Sequence, residues 1–432
     1  MKKGMSSEAK HVLGSNIRNR KKEITAESKS FFSMASVGCL ICHSVQKIIR
    51  YLPSIFFLVS VSCLASEITQ AGFAFSGDYK TAAQRFPYTF ELFKRIQAEK
   101  NVSRTFSFLV NERSKGLKNP EIEFHSSGDL VNLKNSDRAL MSVLVLTGET
   151  VATENYGTYY KTFVNLRGDA LIFDYKNQTV VRSYPLSVVL FDATPEKPTT
   201  QRITGFVDHL IRREDGRGLV TQYIRRLASV KLPKESVRTV QVKQGSVTPE
   251  ALSFLPSSLQ KNPQAVQAML TEGFASILSA KLNVPMLPSS VGHAGGVMSM
   301  RLENGDDYKL KVGEGDYLFD VKLNKFAKIQ TSKSNVGSAY VYGTYMTVRF
   351  YEPALNTEYI NTDLKNGEVA IVPAGQISGD DFAGYQDAMR GLALKFADAF
   401  KHPDSDWLNK AASAKNIKSQ MKTADEIIRK CQ

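Results

Sequence analysis

The sequence predicts an α+β protein with two similar-sized domains, each a mostly antiparallel sheet packed with helices. Short segments of alternating apolar and polar residues are separated by turn residues, which is typical of hairpins. Other segments have apolar residues three or four positions apart, which is typical of amphipathic helices. The chain has 432 residues, of which 42% are apolar. This length is large for one domain, and the composition suffices for large buried cores.

The apolar residues 52–65 predict a secretory signal peptide. They follow the basic residues Lys47 and Arg50 and end in small residues. A basic segment before an apolar one of about 7–15 residues is the pattern of such signals. Spanning a bilayer takes about 20 apolar residues, so a membrane anchor fits less well. A buried core helix is the remaining alternative. We expect residues 1–66 to be a leader that directs export to the periplasm of a Gram-negative bacterium.

Two ends of this signal are compatible with the residues. Ordinary cleavage after Ala65 would leave Ser66 first. Residues 60–63, SVSC, resemble a bacterial lipobox, which would leave Cys63 acylated and the protein associated with the outer membrane. Because the segment in front is long for a signal peptide, we expect Met34 to be the true start.

The cysteines predict neither a disulfide nor a haem. Cys39, Cys42 and Cys63 lie in the leader, so Cys431 is left alone or with an acylated Cys63. Residues 39–43, CLICH, match the attachment pattern of c-type haem. That attachment requires exported thiols, and these precede the signal. We therefore expect no cofactor.

The charge of the chain is positive and uneven. The formal net charge is +14, and residues 1–51 hold ten basic against three acidic residues. Basic side chains are not clustered with aromatic residues in the way that nucleic-acid binding requires. The composition therefore favours an envelope protein or an anionic membrane surface as partner, and no nucleic acid. The oligomeric state does not follow from the sequence.

The first domain is predicted to span residues 67–230. Its expected elements, in order, are strand 71–77, a helix from Tyr88, strands 104–110, 121–125 and 140–151, hairpins over 162–192, and helix 203–213. Gly168-Asp169 and Asn177-Gln178 supply the turns of the hairpin run.

The second domain is predicted to span residues 231–432. Prolines at 233, 249, 256 and 263 mark the change of character near residue 230. The expected elements are strand 238–243, a helix from Ala265, several strands from Val297 onward, an amphipathic helix with Leu392 and Phe396 on one face, and a last Lys-rich helix.

The two domains are expected to be a duplication. Gly148 and Gly343 each stand in a strand-Gly-strand segment, and Asp174 and Asp363 each precede a Lys-Asn turn. Two unrelated domains that are both rich in hairpins are the alternative.

The segments VLVLTGETV and LIFDYKNQTVVRSYPL resemble the periplasmic αβ domain shared by the curli-secretion lipoprotein CsgG, the penicillin-binding-protein activator LpoB and the TolB N-terminal domain. Gly148, Asp174, Lys176 and Val180-Val181 fit its hairpin form. Gly343, Asp363, Lys365 and Val369 fit it a second time. The resemblance implies an exported assembly or regulatory protein that acts through protein contacts.

No catalytic, cofactor-binding or metal-binding residues are predicted. The histidines after the leader, at positions 125, 209, 293 and 402, show no metal-ligand spacing. Ser258 and Lys261 match S-x-x-K without its companion motifs, and 313–315 reads as a turn. The loop at His293 has two glycines that would permit close approach of a ligand.

Five arginines form the candidate binding surface. They are Arg212, Arg213, Arg217, Arg225 and Arg226. Arginine makes bidentate contacts with carboxylate and phosphate, which suits an acidic partner or lipid head groups. The alternative is a solvated helix pair whose arginines meet Glu214 and Asp215.

The expected function is a binding or accessory role in assembly or regulation of a periplasmic or outer-membrane complex. One alternative is an enzyme acting on an envelope polymer through carboxylates that meet only in three dimensions, taken from Asp169, Asp174, Asp306 and Asp307. Another is a periplasmic protein that binds a small ligand in the cleft between the halves.

We predict that residues 34–80 direct export. Fused to a reporter that is active only in the periplasm, these residues should yield an active reporter. Replacing Phe56 and Phe57 by Asp should abolish the reporter activity, because a charged segment cannot act as the apolar core of a signal. An inactive parent fusion that stays in the cytosol would contradict the localisation.

Overall fold

The computed structural model describes residues 66–125, 139–233, 237–289, 296–374 and 381–432. The predicted leader, with Met34, Cys39, Cys42 and Cys63, lies outside these residues, and so does His293. The described residues belong to one compact unit.

Seven strands form the first sheet. They are β1 Ser66–Ser76, β2 Ile122–His125, β3 Leu140–Asn155, β4 Tyr160–Asp174, β5 Thr179–Thr194, β8 Val297–Leu302 and β9 Asp307–Lys311. Their order is β2-β1-β3-β4-β5-β9-β8. Strand β1 is parallel to β2 and β3, and β3, β4 and β5 form an antiparallel meander. Strand β8 pairs with β1 as well as with β9, so the sheet closes on itself through the β8–β1 pair.

Five strands form the second sheet. They are β6 Val240–Val247, β7 Met286–Leu287, β10 Tyr317–Ser334, β11 Gly337–Glu352 and β12 Thr357–Pro373. Their order is β12-β11-β10-β6-β7. Strand β6 is parallel to β7 and β10, and β10, β11 and β12 form an antiparallel meander.

Helices connect and cover the strands. They are α1 Ala82–Arg85, α2 Pro87–Ala98, α3 Phe106–Ser114, α4 Thr200–Arg212, α5 Leu219–Ser229, α6 Pro249–Leu252, α7 Ser257–Gln260, α8 Pro263–Leu282, α9 Asp381–Lys401, α10 Asp406–Ala411 and α11 Ile417–Arg429. Short 3-10 helices occupy Tyr79–Thr81 and Val102–Arg104. No helix among the described residues is long and apolar enough to cross a membrane.

The α+β fold class predicted from the sequence is confirmed, because each sheet is mixed, contains a long antiparallel meander and is packed with helices.

The two sheets also share a strand order. The first reads β2-β1-β3-β4-β5 and the second reads β7-β6-β10-β11-β12, with the same parallel and antiparallel pairs. An origin by duplication agrees with this order and stays a prediction.

The residue equivalences expected for the duplication are offset by one strand. Gly148 lies on β3, the first strand of its meander, whereas Gly343 lies on β11, the second strand. Asp174 ends β4, whereas Asp363 lies within β12. The matched motifs therefore reflect the common pattern of hairpins, since strand, turn and strand recur at every step of a meander.

The expected domain division near residue 230 stays a prediction. Strands β8 and β9 follow that position in the chain but pair with β1 and β5 of the first sheet. The second half therefore contributes a hairpin to the sheet that the first half builds.

The expected strand at 104–110 is wrong, because those residues begin helix α3. The Thr105 hydroxyl accepts a hydrogen bond from the Phe108 N–H and caps the helix. Phe106 and Val110, four positions apart, are buried on one face. Parallel strands β1 and β2 require a crossover between them, which helices α1 to α3 supply.

Three apolar clusters form the core. One lies between the first sheet and helices α2 to α5, and a larger one lies between the second sheet and helices α8, α9 and α11. In the larger cluster the rings of Phe319 and Phe350 stack with centroids 4.3 Å apart. The third fills the inner face of the closed first sheet, between β4 and the β8–β9 hairpin. Cys431 is buried and free.

Candidate functional site

The five candidate arginines divide into two groups. Arg212 donates from Nε to Asp208 Oδ1 at 2.6 Å and lies over the Phe106 ring, 5.5 Å from its centroid. Arg213 donates to Asp215 at 2.8 Å. These two arginines hold the turn between α4 and α5 in place. Gly218 is required there, because a Cβ at that position would lie 2.0 Å from the Arg213 carbonyl oxygen.

The other three arginines line a groove. Arg217 has a side chain that is 76% exposed. The Arg225 guanidinium lies against Gly216, where a Cβ would meet it at 2.1 Å. Arg226 lies over the ring of Tyr184, 5.7 Å from its centroid, and burial lowers its pKa. The structure therefore brings Arg217, Arg225 and Arg226 to one opening and leaves Arg212 and Arg213 out of it.

The groove runs between β4, β5 and α5 on one side and α8 and α9 on the other. Its volume is about 700 Å³, which lies within the usual range of roughly 300–1,000 Å³ for small-molecule sites. Its apolar lining consists mainly of Phe163, Val189, Phe191, Met269, Phe274, Ile277, Met346, Met389 and Leu394.

Helix α8 forms one wall because it is apolar on more than one face. Leu278 and Leu282 are buried in the core of the second sheet, and Met269, Phe274 and Ile277 also face the groove. A helix that is apolar nearly all round must be covered on both sides. Here the second sheet covers one side of α8. Strand β5 approaches the other side, and the groove is the space left between them.

The charges of the groove are mostly positive. Arg217, Arg225 and Arg226 stand on one wall, and Lys281 and Arg390 stand on the other. Lys281 also pairs with Asp398 at 3.1 Å. Asp387 is the one acid among the described lining residues. An apolar floor with a cationic rim suits a ligand that has an apolar body and an anionic group.

Gln386 adds an unsatisfied donor to this lining. Its Nε2 is buried and has no hydrogen-bond partner among the described residues. A buried donor without a partner costs about 1–3 kcal/mol. Asn165, which also lines the groove, is satisfied because its Nδ2 donates to Ser187 Oγ and to the Val188 carbonyl, each at 3.0 Å.

A second cavity, the polar cleft, has a volume of about 690 Å³ and is lined by residues of β3, β4, α1, α2, α7 and α8. At its centre Arg167 donates from Nε to Glu272 of α8 at 3.0 Å. Its Nη1 donates to Thr150 at 2.8 Å and to Asn165 at 2.7 Å. Gly148 makes room for this guanidinium, since a Cβ there would lie 2.2 Å from Nη2.

Glu149 has a structural partner in the cleft. Its carboxylate accepts from the N–H groups of Tyr88 and Thr89 at 2.9 and 2.8 Å and from the Thr89 hydroxyl at 2.5 Å. It thereby caps the N-terminal end of α2. Burial raises the pKa of Glu149 although these hydrogen bonds lower it.

Asp169 is a buried carboxylate of the cleft with one hydrogen-bond partner. It is 5% exposed, and Ser183 donates to its Oδ1 at 3.2 Å. Burial, with a smaller contribution from the charge of Glu272, raises the pKa of Asp169 to about 7. Its carboxyl group can therefore hold or release a proton near neutral pH.

The other candidate carboxylates lie elsewhere. Asp174 accepts from the Lys176 and Asn177 N–H groups in the β4–β5 turn. Asp306 and Asp307 lie at the β8–β9 turn, where Asp307 pairs with Arg301 at 2.9 Å. Ser258 of the S-x-x-K segment lines the cleft, but Lys261 does not.

No pattern in the sequence points to Glu149, Glu272 or Arg390. Glu272 and Arg167 are 105 positions apart, and Arg225 and Arg390 belong to different halves of the chain. No local spacing connects such pairs. The described residues contain no group of three or more histidine, cysteine, aspartate or glutamate side chains placed to hold a metal ion.

We predict that Asp169→Asn stabilises the protein at neutral and higher pH. The pKa of Asp169 in the folded protein, about 7, lies above its ordinary value of 3.8, so the folded state disfavours the ionised form. The free energy of unfolding should therefore fall as pH rises from about 4 to 7, by at most about 4 kcal/mol.

The measurement is urea unfolding of parent and variant between pH 4 and 8. Asp169→Asn should be more stable than the parent at pH 8, and the difference should shrink toward pH 4. The exposed control Asp307→Asn should follow the parent. A variant with the parent's full pH dependence would show that Asp169 is not the group responsible.

No family model and no curated protein match this chain. Among solved structures, a neuraminyllactose-binding hemagglutinin homologue from Helicobacter pylori is similar at 12% identity and a TM-score of 0.24, over 45% of this chain and 92% of that one. A DUF330 family protein from Xanthomonas campestris is similar at 10% identity and a TM-score of 0.18, over 38% of this chain and 84% of that one. Neither likeness is close enough to carry a statement about function, and the resemblance to the CsgG, LpoB and TolB domains stays a prediction.

Proposed function

We propose that this chain is an exported cell-envelope protein that works by binding, in an accessory role to a periplasmic or outer-membrane complex. The observation that supports binding is the groove between α5 and helices α8 and α9. It combines an apolar floor with a positively charged rim and a volume of about 700 Å³. We further propose that its ligand is an anionic amphiphile, with a phosphate or carboxylate group at the rim.

The lining chemistry favours binding over catalysis at the groove. The described residues that line it include no histidine, cysteine, tyrosine or glutamate, and their charged groups are five cations and Asp387. Arginines cannot act as bases at ordinary pH, and they pair with phosphate or carboxylate through two parallel hydrogen bonds. The apolar wall contributes about 25 cal/mol for each Å² of ligand surface that it removes from water.

Two arginines of the rim are available to a ligand, whereas Arg217 pairs with Asp215 at 3.3 Å. Arg225 and Arg390 are exposed, and burial of Arg226 is incomplete. Exposed ion pairs contribute only about 0–1 kcal/mol to stability, so the fold has little need of these two exposed arginines. Arg226 contacts Tyr184 and is therefore less suitable for substitution.

We predict that the double variant Arg225→Gln, Arg390→Gln binds an anionic amphiphile at least about tenfold more weakly than the parent. The variant loses two charge-assisted hydrogen bonds to the ligand. Because both arginines are exposed to water, each bond contributes less binding free energy than a buried one would, and the two together account for this factor. The probe is dodecyl phosphate below its micelle-forming concentration, measured by titration calorimetry. The weakening should be greatest at low ionic strength, where screening is least.

Two controls accompany this experiment. Arg429→Gln removes an exposed arginine of α11, outside the groove, and should bind as the parent does. Dodecyl maltoside has the same chain without the charge and should bind parent and double variant alike. Equal affinities of parent and double variant for dodecyl phosphate, with equal salt dependence, would refute the groove as the anionic site.

The polar cleft supports a second candidate function, hydrolysis of an envelope polymer. The observation is Asp169, a buried carboxyl group whose pKa of about 7 suits a general acid at neutral pH.

If the cleft is catalytic, purified protein should release soluble fragments from isolated peptidoglycan, and Asp169→Asn should lose at least about a hundredfold of that activity. Asp307→Asn should keep it. Absence of fragments from the parent at pH 5 to 8 would remove this candidate for peptidoglycan and would leave the groove proposal unaffected.

A further inference from the structure

One end of the second sheet carries an exposed apolar row. In the register of the sheet, Ile329 of β10 lies opposite Val341 of β11, and Val341 lies opposite Val369 of β12. Directly paired residues of antiparallel strands share one face. Ile371 follows Val369 by two positions and belongs to the same face. We call these four residues the apolar row.

Three residues of the apolar row are open to solvent, and Val341 between them is half-buried. Ile329 is 58% exposed, Val369 69% and Ile371 74%, and Val336 in the adjoining β10–β11 turn is 82% exposed. Residues 329–334 are all exposed, without the alternation that a covered strand shows. Single exposed apolar residues are ordinary, but a contiguous row across three strands indicates an interaction surface.

The opposite face of these strands is already covered. Tyr342 donates its hydroxyl to Asp381 Oδ1 at 2.7 Å, and a Cβ at Gly384 of α9 would lie 2.5 Å from the Tyr342 ring. Lys395 of α9 pairs with Glu368 of β12 at 3.0 Å. Helix α9 therefore occupies that face, and the apolar row is on the other one.

Positive charge surrounds the apolar row. Lys325 of β10 and Lys365 of β12 lie opposite Tyr345, on the face of the apolar row, and Lys333 stands near the end of β10. Lys328 lies on the opposite face, which α9 covers, and pairs there with Asp381 at 2.6 Å. Lys325 stands over the ring of Tyr345, 4.9 Å from its centroid, on the strand that carries Val341. Apolar side chains beside lysine and tyrosine are the composition of surfaces that sit at a membrane interface.

We propose that this end of the second sheet, comprising the apolar row, the β10–β11 turn and the lysines beside them, docks on a bilayer surface that contains anionic phospholipid. Valine and isoleucine side chains enter the boundary between head groups and acyl chains, and the lysines meet the lipid phosphates. A second copy of this chain is a poorer occupant, because stacking two such surfaces would bring lysines against lysines. The surface is separate from the groove and does not depend on the ligand proposed for it.

A tryptophan reporter tests this surface directly. The chain has one tryptophan, Trp407, which Trp407→Phe removes. In that background, Val336→Trp places a fluorophore in the β10–β11 turn, and Leu355→Trp, a control position that is 67% exposed, places one in the turn at the other end of the same sheet. The protein is purified after export and mixed with phosphatidylethanolamine vesicles that contain phosphatidylglycerol.

The expected result is a blue shift of emission for Val336→Trp and none for Leu355→Trp, because the fluorophore enters an apolar environment only at the docking end. Adding Lys325→Gln and Lys333→Gln should weaken the vesicle affinity roughly fivefold for each lysine. Adding Ile329→Ser and Val369→Ser should abolish the shift, with thermal unfolding unchanged because both residues are exposed.

Three outcomes would overturn the proposal. The first is no shift for Val336→Trp, or an equal shift at both positions. The second is an equal affinity for vesicles of phosphatidylcholine alone, which would show that anionic lipid is not recognised. The third is a shift without vesicles that grows with protein concentration, which would identify a second copy as the occupant.

Discussion

The buried ion pair between Arg167 and Glu272 connects the first sheet to helix α8, the helix that lines both candidate sites. The two side chains are 4% and 13% exposed and 3.0 Å apart. Removing one partner of such a pair leaves a buried charge and costs about 3–5 kcal/mol. Thr150 and Asn165 accept from the guanidinium, and Thr147 donates to Glu272 at 2.9 Å, so the pair is well satisfied. The polar cleft lies at this pair, and the groove lies on another side of α8.

Three of the carboxylates that line the cleft show how partners decide the role of an acid. Glu149 caps a helix and Glu272 pairs with Arg167, so both contribute to the fold. Asp169 has one hydroxyl partner, and its charge faces that of Glu272. Burial with too few partners raises a carboxyl pKa, which is why Asp169 is poised to exchange a proton near pH 7.

The two sheets share a strand order, but their meanders carry different surfaces. In the first sheet the meander β3, β4, β5 is covered by α4 and α5, and β5 contributes to the groove wall. In the second sheet the meander β10, β11, β12 is covered by α9 on one face, and its far end extends past that helix. The described parts of the two halves thus present a concave site and an exposed apolar end, both with basic side chains at the margin.

Local patterns in the sequence determined the fold class, most helices and the turn of the β4–β5 hairpin, because apolar periodicity reports which face of an element is buried. The turn expected at Gly168-Asp169 is wrong, because both residues lie within β4 and pair with β3 and β5. They misassigned 104–110, where alternating Phe106, Phe108 and Val110 resemble a strand but the crossover between parallel β1 and β2 requires a helix. Only the tertiary structure separated Arg217, Arg225 and Arg226 from Arg212 and Arg213, because the direction of each side chain depends on how the α4–α5 turn packs. It alone brought Arg390 opposite Arg225 and Glu272 against Arg167, since contacts between residues more than a hundred positions apart leave no local spacing to detect.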